Sequence, residues 1–489
     1  MPAVDAGQHV ILTSTHPVLS LLSRNQHDMK RMWSTNRLAT EIPGIVKRAM
    51  TESETETATE TRARTIEPLP PHYHWNFGAA LVHGVFFLAS NAFSSPTVVL
   101  PAFVALLTPS QIMVGLPMSI VLAGQILPQL FVAHFVEQRD HKKPLLVAAV
   151  AIRALSWALL ATLTFFYGTS RPVLVLAALI AALTLFSVAG GMGLVVYADI
   201  IAKVFPANRR GRFYGTRYLL GNVLAFLAGL TVRAILGNEV RFPFPLSYAV
   251  LFFLAFISLA IAFTGVASIR EPVESHQPKG RTFLQYLRRA IKLLGENPNF
   301  RRLIGVRLFL GASVLAFPFY VIYAREQLHV PTSALGIYIS AQVAGEAGAN
   351  MIWGMLGDRY GYKIVLALLA IVGGATPLVA MLVPVSAGWA FVLVFVLMGA
   401  TLTGVEMSTG NFLLEVTPSL VRPTCIALLN TLTAPLILFP LFGGWLIQRV
   451  ASFGLMFWIV VATSLLAFIL ATGLRDPRHD PQGKCIVTD

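Results

Sequence analysis

Cysteine is nearly absent. The 489-residue chain has two, Cys425 and Cys485, too few for a disulfide framework, an iron–sulfur cluster or a cysteine zinc site. Charge is scarce as well, with 12% of residues Asp, Glu, Lys or Arg against about 25% in soluble domains. No G-x-x-x-x-G-K-[ST] phosphate loop is present, so the chain does not power itself as an ATPase. H-E-x-x-H and G-x-S-x-G are also missing, so no enzyme activity and no resident metal or cofactor is expected. Apolar surface, by contrast, is plentiful: 55% of residues are hydrophobic and the mean hydropathy is +0.69. Such a chain cannot cover itself with polar surface in water. A soluble enzyme, a disordered protein and a secreted scaffold are excluded, and an integral membrane protein is implied.

Residues 1–74 are polar, with acids and bases nearly balanced and a Thr/Glu run at Thr51–Glu60, and read as a solvated cytoplasmic tail. The apolar patch Val10–Leu22 is short and interrupted by Thr13, Thr15, His16 and Pro17, so it makes no signal peptide. Met50 precedes TESETETATETRAR, an ordinary cytoplasmic N-terminus in itself, and both Met1 and Met50 stand as candidate starts. Beyond Trp75, apolar segments alternate with short polar breaks. About 20 apolar residues cross a bilayer, and twelve segments qualify: 76–107, 111–136, 144–167, 172–204, 213–236, 246–269, 303–324, 334–356, 362–383, 388–416, 424–447 and 453–474. Several are overlong and hold Pro96, Pro101, Gly190, Gly191, Gly404, Pro435 or Pro440, so tilts or kinks are expected.

The longest polar interruption, 270–302, falls in the middle. The expected fold is therefore an all-α membrane protein of twelve transmembrane helices in two six-helix bundles, 75–269 and 303–474, joined by a cytoplasmic loop over 270–302 and followed by a cytoplasmic tail over 475–489. Within the loop, FLQYLRRAIKLL (Phe283–Leu294) reads as a basic amphipathic helix lying on the membrane interface. The net charge of +14 is accounted for by topology. With the N-terminus inside, eighteen Lys and Arg fall in cytoplasmic connections, among them Lys142, Lys203, Arg210, Arg359, Lys363 and Arg422. Five fall on the opposite side: Arg171, Arg233, Arg241, Arg325 and Arg449. This is a strong positive-inside bias, and it removes the need for a nucleic-acid partner. Both termini are expected to be cytoplasmic, in the cell's inner membrane.

The chain also repeats itself. Segment 115–144 aligns without gaps to 336–365, pairing Gly115 with Gly336, Ser119 with Ser340, Ala123–Gly124 with Ala344–Gly345, Gln125 with Glu346, Gln129 with Asn350, Glu137 with Asp358 and Lys142 with Lys363. Pro206-x-x-x-Arg210 matches Pro418-x-x-x-Arg422, and Arg270-Glu271-Pro272 matches Arg475-Asp476-Pro477. Three matches in one order predict two halves about a pseudo-two-fold axis along the membrane normal, with a cavity between them. The loop after the eighth segment reads Gly354-Met-Leu-Gly357-Asp358-Arg359-Tyr-Gly361-Tyr-Lys363. It resembles the G-x-L-[GA]-D-R-x-G-R-K signature of the major facilitator superfamily. That resemblance implies that Asp358, Arg359 and Lys363 form an inner gate, pinning helix ends together when a transporter faces outward. The first-half copy departs from it: Glu137 replaces the aspartate, and Ala133, Val136 and Asp140 stand where glycines would. Independently, acids beside bases at a glycine-bearing turn can pair in one state and part in another; Lys142, Arg210 and Arg422 are counted with this gate. The alternative is that Asp358 caps the ninth helix and the bases only set topology.

Polar groups inside spans cost about 2.5–3.5 kcal/mol for an acid or base at the helix centre and tend to mark function. Glu346 lies twelve residues before Asp358 and Glu406 twelve before Pro418, placing each about 18 Å from the charged face, near mid-bilayer. Gln342, Glu346 and Asn350 form one stripe on span 8. Thr401, Thr403, Glu406, Ser408, Thr409 and Asn411 lie on span 10, Gln125 and Gln129 on span 2, and His83, Ser90, Asn91 and Ser94 on span 1. The family resemblance implies that these stripes face a central cavity. The alternatives are interhelical hydrogen bonds and, for the acids, structural pairing with Arg307 or Arg153, although both arginines lie near enough to the charged face to snorkel. A carboxyl group held in such a site can exchange a proton near neutral pH, which permits proton coupling. The G-P-x-x-G-G typical of the superfamily's drug antiporters is missing from span 5, and span 1 holds no acid. The expectation is a monomeric secondary transporter in the lipid bilayer, moving a small organic solute by alternating access; a non-transporting receptor or scaffold on the same fold is the alternative. The few charges mildly favour a neutral, cationic or amphipathic solute.

Overall fold

In a bilayer, a long uncharged run satisfies its backbone amides by becoming helical, and the computed structural model is helical wherever the sequence is apolar. It describes residues 69–137, 141–272, 297–417 and 422–478; most of the N-terminal tail, the Phe283–Leu294 segment and the chain beyond 478 lie outside these. The first half comprises α1 (Tyr73–Phe93), α2 (Val99–Leu107), α3 (Gln111–Glu137), α4 (Lys143–Tyr167), α5 (Pro172–Val204), α6 (Ala207–Leu236) and α7 (Leu246–Ser268). The second comprises α8 (Pro298–Gly311), α9 (Phe317–Glu326), α10 (Ala334–Tyr360), α11 (Tyr362–Leu382), α12 (Val392–Val416), α13 (Arg422–Thr433), α14 (Phe439–Val450) and α15 (Phe453–Thr472). They make twelve spans, because α1–α2, α8–α9 and α13–α14 are each one span broken in the middle. Among the described residues eleven segments are both long and apolar enough to cross a membrane. The twelfth, α10, has 27 residues but is less apolar because Gln342, Glu346, Asn350, Asp358 and Arg359 lie on it.

The breaks fall where proline removes backbone donors. Pro96 separates α1 from α2, Pro318 opens α9 after the Ala312–Leu315 3-10 turn, and Pro435 lies at the start of the Ala434–Leu438 turn with Pro440 opening α14 after it. In the first break the freed polarity is used locally: Ser94 Oγ donates to the Ser90 carbonyl at 2.8 Å and the Ser95 and Thr97 hydroxyls pair at 3.0 Å. The helices α5 and α12 run unbroken through Gly190, Gly191 and Gly404. Their glycines admit close neighbours instead of kinks. A Cβ on Gly191 would overlap the Gly124 carbonyl oxygen, and one on Gly399 the Gln342 carbonyl oxygen, so α3 meets α5 as α10 meets α12. Two boundaries differ from expectation. Span 5 starts at Ala207 and carries Arg209, Arg210 and Arg212 within the helix, and span 7 starts at Pro298 after Asn297, whose side chain accepts from Phe300 N at 3.2 Å.

Each bundle has an apolar core of its own, a third and larger apolar cluster runs across both halves, and the two meet chiefly through α3 against α14 and α6 against α10. In span terms these are pairs 2–11 and 5–8, which a two-fold relation between the halves exchanges. The close contacts all lie toward one end. A Cβ on Gly115 would overlap the Pro440 carbonyl, one on Gly444 the Gln111 carbonyl, and one on Gly336 the Arg233 amide. Ser340 Oγ donates to the Phe226 carbonyl at 2.9 Å, and Ser110 reaches Gln448 at 3.4 Å. This is the end of loops 108–110, 237–245, 327–333 and 451–452. At the other end the ion pairs Lys142–Asp199, Lys203–Asp199, Lys203–Glu271 and Arg478–Glu415 each stay within one half.

Candidate functional site

Between the halves lies a cavity of about 560 Å³. The span 1 break supplies Thr97, α3 supplies Gln125, α8 Arg307, α10 Gln342, α12 Glu406 and α13 Asn430, with Met118, Val121, Leu122 and Val314 among the apolar walls. A second cavity, about 990 Å³, lies between α6, α10 and α12, lined by Asn222, Asn350, Thr403 and Glu406. Glu406 lines both.

Two polar chains organise this space. Arg307 donates to Glu406, to Thr409 Oγ1 at 2.8 Å and to the Val405 carbonyl at 3.3 Å. The arginine side chain is 15% exposed and that of the glutamate 73%, so the acid faces open space while the base is anchored behind it. Arg307 therefore does not snorkel to the charged face, because three acceptors on α12 hold it inside. The second chain crosses between halves: Thr97 Oγ1 donates to Gln342 Oε1 at 2.8 Å, and Gln342 Nε2 donates to Glu346 Oε1 at 2.9 Å. Thr403 donates to Asn350 at 2.7 Å. Gln342 and Glu406 thus line the central cavity and Asn350 and Glu406 the second, with Gln125 exposed on the facing wall, whereas Glu346 lines neither and is reached only through Gln342. Asn411 lies five residues beyond Glu406 on α12 and lines with it a smaller cavity of about 450 Å³. Asn91 is half-buried on α1 and lines neither cavity. The side chains of Gln129 and Glu137 lie outside the described residues. Thr97, which joins the halves, was missed because its role depends on the Pro96 break turning it toward α10.

The gate residues occupy the end away from the close contacts. Asp358 and Arg359 are exposed at the end of α10; the Asp358 carbonyl accepts from Arg478 at 2.9 Å, and Arg359 sits 5.2 Å from the Tyr360 ring. Asp358 does not cap α11, whose start at Gly361 shows no side-chain cap. Gly361 has φ +87°, and a Cβ there would come 2.6 Å from Asp476 Oδ2. Gly357 lies under the Tyr362 ring, Gly354 faces open space and Lys363 is half-buried. Arg210 and Arg422 each turn back on their own half. Arg210 donates to the Ala202 and Phe205 carbonyls at 2.8 and 3.0 Å, Arg422 to Leu414 and Thr417 at 3.2 and 3.3 Å. Both close off the last carbonyls of a helix. Lys142 pairs with Asp199 at 3.0 Å, deep in the first bundle at 3% exposure.

A further repeat emerges at the same end. Asn76 exchanges two hydrogen bonds with the Arg270 backbone (3.0 and 2.8 Å), and Asn299 does the same with Arg475 (3.0 and 2.9 Å). The clue in the sequence is Asn76-Phe77 against Asn299-Phe300, too short to register without the Arg-acid-Pro partner.

Comparison with known proteins settles the family. The Major Facilitator Superfamily model matches residues 82–324 and 302–485. The chain belongs to the major facilitator superfamily. An uncharacterized protein of Mycobacterium tuberculosis is 25% identical over 414 residues, covering 82% of this chain and 77% of that one. Among solved structures, a mutant of the nucleoside transporter NupG superposes with TM-score 0.65 at 14% identity, covering 81% of this chain and 98% of that one. A bacterial homologue of the iron transporter ferroportin, inward-facing, gives 0.64 at 13% identity with the same coverage; the outward-facing form of that homologue gives 0.56. These likenesses show the fold, and with the family match and the eleven long apolar helices they describe a multi-pass integral membrane protein.

Proposed function

We propose that the chain is a secondary carrier that moves a small organic solute by alternating access, with Glu406, Glu346 and Gln342 at the solute or proton site. The observation that carries this reading is the cleft. It is shut at one end by backbone-to-backbone contact at Gly115, Gly336 and Gly444, and its polar wall, Glu406 above all, faces open space. The Lys/Arg bias makes the shut end extracellular and the open end cytoplasmic, with both termini inside and the inner membrane as location. In that conformation a gate built from Asp358, Arg359 and Lys363 should be parted, in keeping with Asp358 forming no ion pair with a described residue. Rocking of the halves would close that end and part α3 from α14. A static receptor or scaffold has no use for a cleft walled by an exposed acid.

The test joins movement to flux. With Cys425 and Cys485 changed to Ser, Ser110→Cys and Gln448→Cys place thiols across the shut end, where the native side chains are 3.4 Å apart. In proteoliposomes the cross-link should form readily and abolish uptake of solutes from a radiolabelled metabolite panel, with reduction restoring uptake. Uptake that persists in the cross-linked protein, or no uptake of any panel solute by the uncross-linked protein, refutes the carrier reading.

A further inference from the structure

The first bundle holds a second polar cluster, apart from Glu406 and Glu346. His83 on α1, Arg153 on α4, Tyr197 on α5 and Arg217 on α6 wall a cavity of about 70 Å³. Leu194 lines both this pocket and the central cavity, so the two are neighbours. The Arg153 guanidinium lies over Phe87 and Phe186, 4.6 and 4.1 Å from their centroids, and that of Arg217 lies 5.3 Å from the Tyr197 ring. The Nε atoms of both arginines and the Tyr197 hydroxyl are buried with no hydrogen-bond partner, and Tyr197 is only 7% exposed. His83, also 7% exposed, is fixed by Nδ1 against the Ala262 carbonyl at 3.3 Å. The space for the two bases is built in: a Cβ on Gly84 would collide with the Arg217 side chain, and one on Gly190 would come 3.2 Å from Arg153 Cζ.

The charge balance distinguishes this cluster from the Arg307–Glu406 pair of the second bundle. In the second bundle Arg307 has its acid, Glu406. In the first, Arg153 and Arg217 face no acid among the described residues, since Asp199 on α5 is held by Lys142 and Lys203 at 3.0 and 3.2 Å. A guanidinium inside a membrane protein is costly unless paired, and ring faces return only about 0.5–2 kcal/mol each. Two convergent bases with unused donors call for oxygen anions, which arginine binds through a planar fork. A pocket of this size, two to three times the roughly 30 Å³ share of one water, matches one such group.

We propose that this pocket binds the carboxylate or phosphate group of an organic anion whose apolar remainder occupies the central cavity beyond Leu194. This rests on the carrier reading and narrows the neutral, cationic or amphipathic solute expected from the sequence to an amphipathic anion. The test uses the full chain purified in neutral detergent, with benzoate and phenyl phosphate as probes, benzamide as the uncharged control and phosphatidylglycerol as the lipid source of the same chemistry. Benzoate or phenyl phosphate should raise the melting temperature while benzamide does not. Binding should weaken tenfold or more in Arg153→Gln, in Arg217→Gln and in Gly84→Ala, where the Cβ displaces Arg217. Independently of how those variants fold, phenylglyoxal should modify Arg153 and Arg217 in the unaltered protein, and either probe should slow this at least fivefold. Equal stabilisation by benzamide, unchanged binding in both arginine variants, absent protection, or protection by phosphatidylglycerol alone overturns the proposal. Uptake of a neutral solute with no anion binding would sink the anion site and leave the carrier standing. Specific anion binding with no uptake of any solute would do the reverse.

Discussion

Replacing Glu406 by Gln should cost the fold little and transport much. The Glu406 side chain is 73% exposed to the cavity, so its pairing with Arg307 is an ion pair in contact with water, worth about 0.2–1 kcal/mol. The substitution keeps an amide oxygen that can accept from Arg307, and the guanidinium retains Thr409 Oγ1 at 2.8 Å and the Val405 carbonyl at 3.3 Å. The melting temperature should therefore fall by about 4 °C or less, since 1 kcal/mol moves a domain of about 200 residues by about 2–4 °C. Uptake of whichever panel solute the unaltered protein carries should fall at least tenfold, equivalent to about 1.4 kcal/mol of lost stabilisation along the transport cycle. Arg307→Met is the counter-experiment. It removes a 15%-exposed base and every hydrogen bond it donates to α12, so its effect on stability should exceed that of Glu406→Gln. The assay is differential scanning fluorimetry and proteoliposome flux on the same preparations. If Glu406→Gln melts as low as Arg307→Met while the folded remainder transports normally, the pair is a brace between α8 and α12 and not part of the site.

Two further outcomes follow from the ends of the bundles. Asn76→Ala and Asn299→Ala each remove two hydrogen bonds from sites only 1% and 2% exposed, stranding backbone polar groups at about 1–3 kcal/mol apiece; their melting temperatures should drop by similar amounts, and a large effect in one half only would refute the equivalence. Gly361→Ala should destabilise by about 1 kcal/mol or more, because φ is +87° and the Cβ approaches Asp476, whereas Gly354→Ala, in the interior of α10 with nothing within 4 Å of its Cβ, should stabilise by about 0.5–1 kcal/mol.

What the sequence made legible is what the bilayer enforces. Span count follows from apolar length, and the halves follow from matches whose purpose the structure explains. Ala123–Gly124 and Ala344–Gly345 repeat because α3 touches α5, and α10 touches α12, through backbone. Arg210 and Arg422 repeat because each closes off a helix end five and eight residues upstream. Glu271 follows Arg270 because its carboxylate accepts from the Lys142 and Lys143 amides at 3.1 and 2.8 Å, capping α4. The polar stripe on α10 was legible from its spacing of four residues. The partners of Arg307, Arg153 and Arg217 were not, because the choice between snorkelling and inward pairing depends on which helix faces the base. Arg307 finds three acceptors on α12, whereas Arg153 finds Phe87 and Phe186.

The duplicated and the unduplicated features separate by depth. The asparagine clasps at Asn76 and Asn299, the arginines closing helix ends and the glycine contacts occur twice, and these hold each bundle rigid or let its neighbours pack closely. A rocking motion needs two bundles that move as bodies, so the same fastenings serve both. The interior does not repeat: Arg153 and Arg217 with no described acid stand on one side, and Arg307–Glu406 with Glu346 on the other. If the chain carries a solute with distinct ends, as proposed, that solute meets each bundle with different chemistry. A charge-bearing solute would then enter with its anionic group toward α4 and α6 and its remainder toward α10 and α12, and exchanging the interior bases between halves should invert or abolish that orientation without unfastening either bundle.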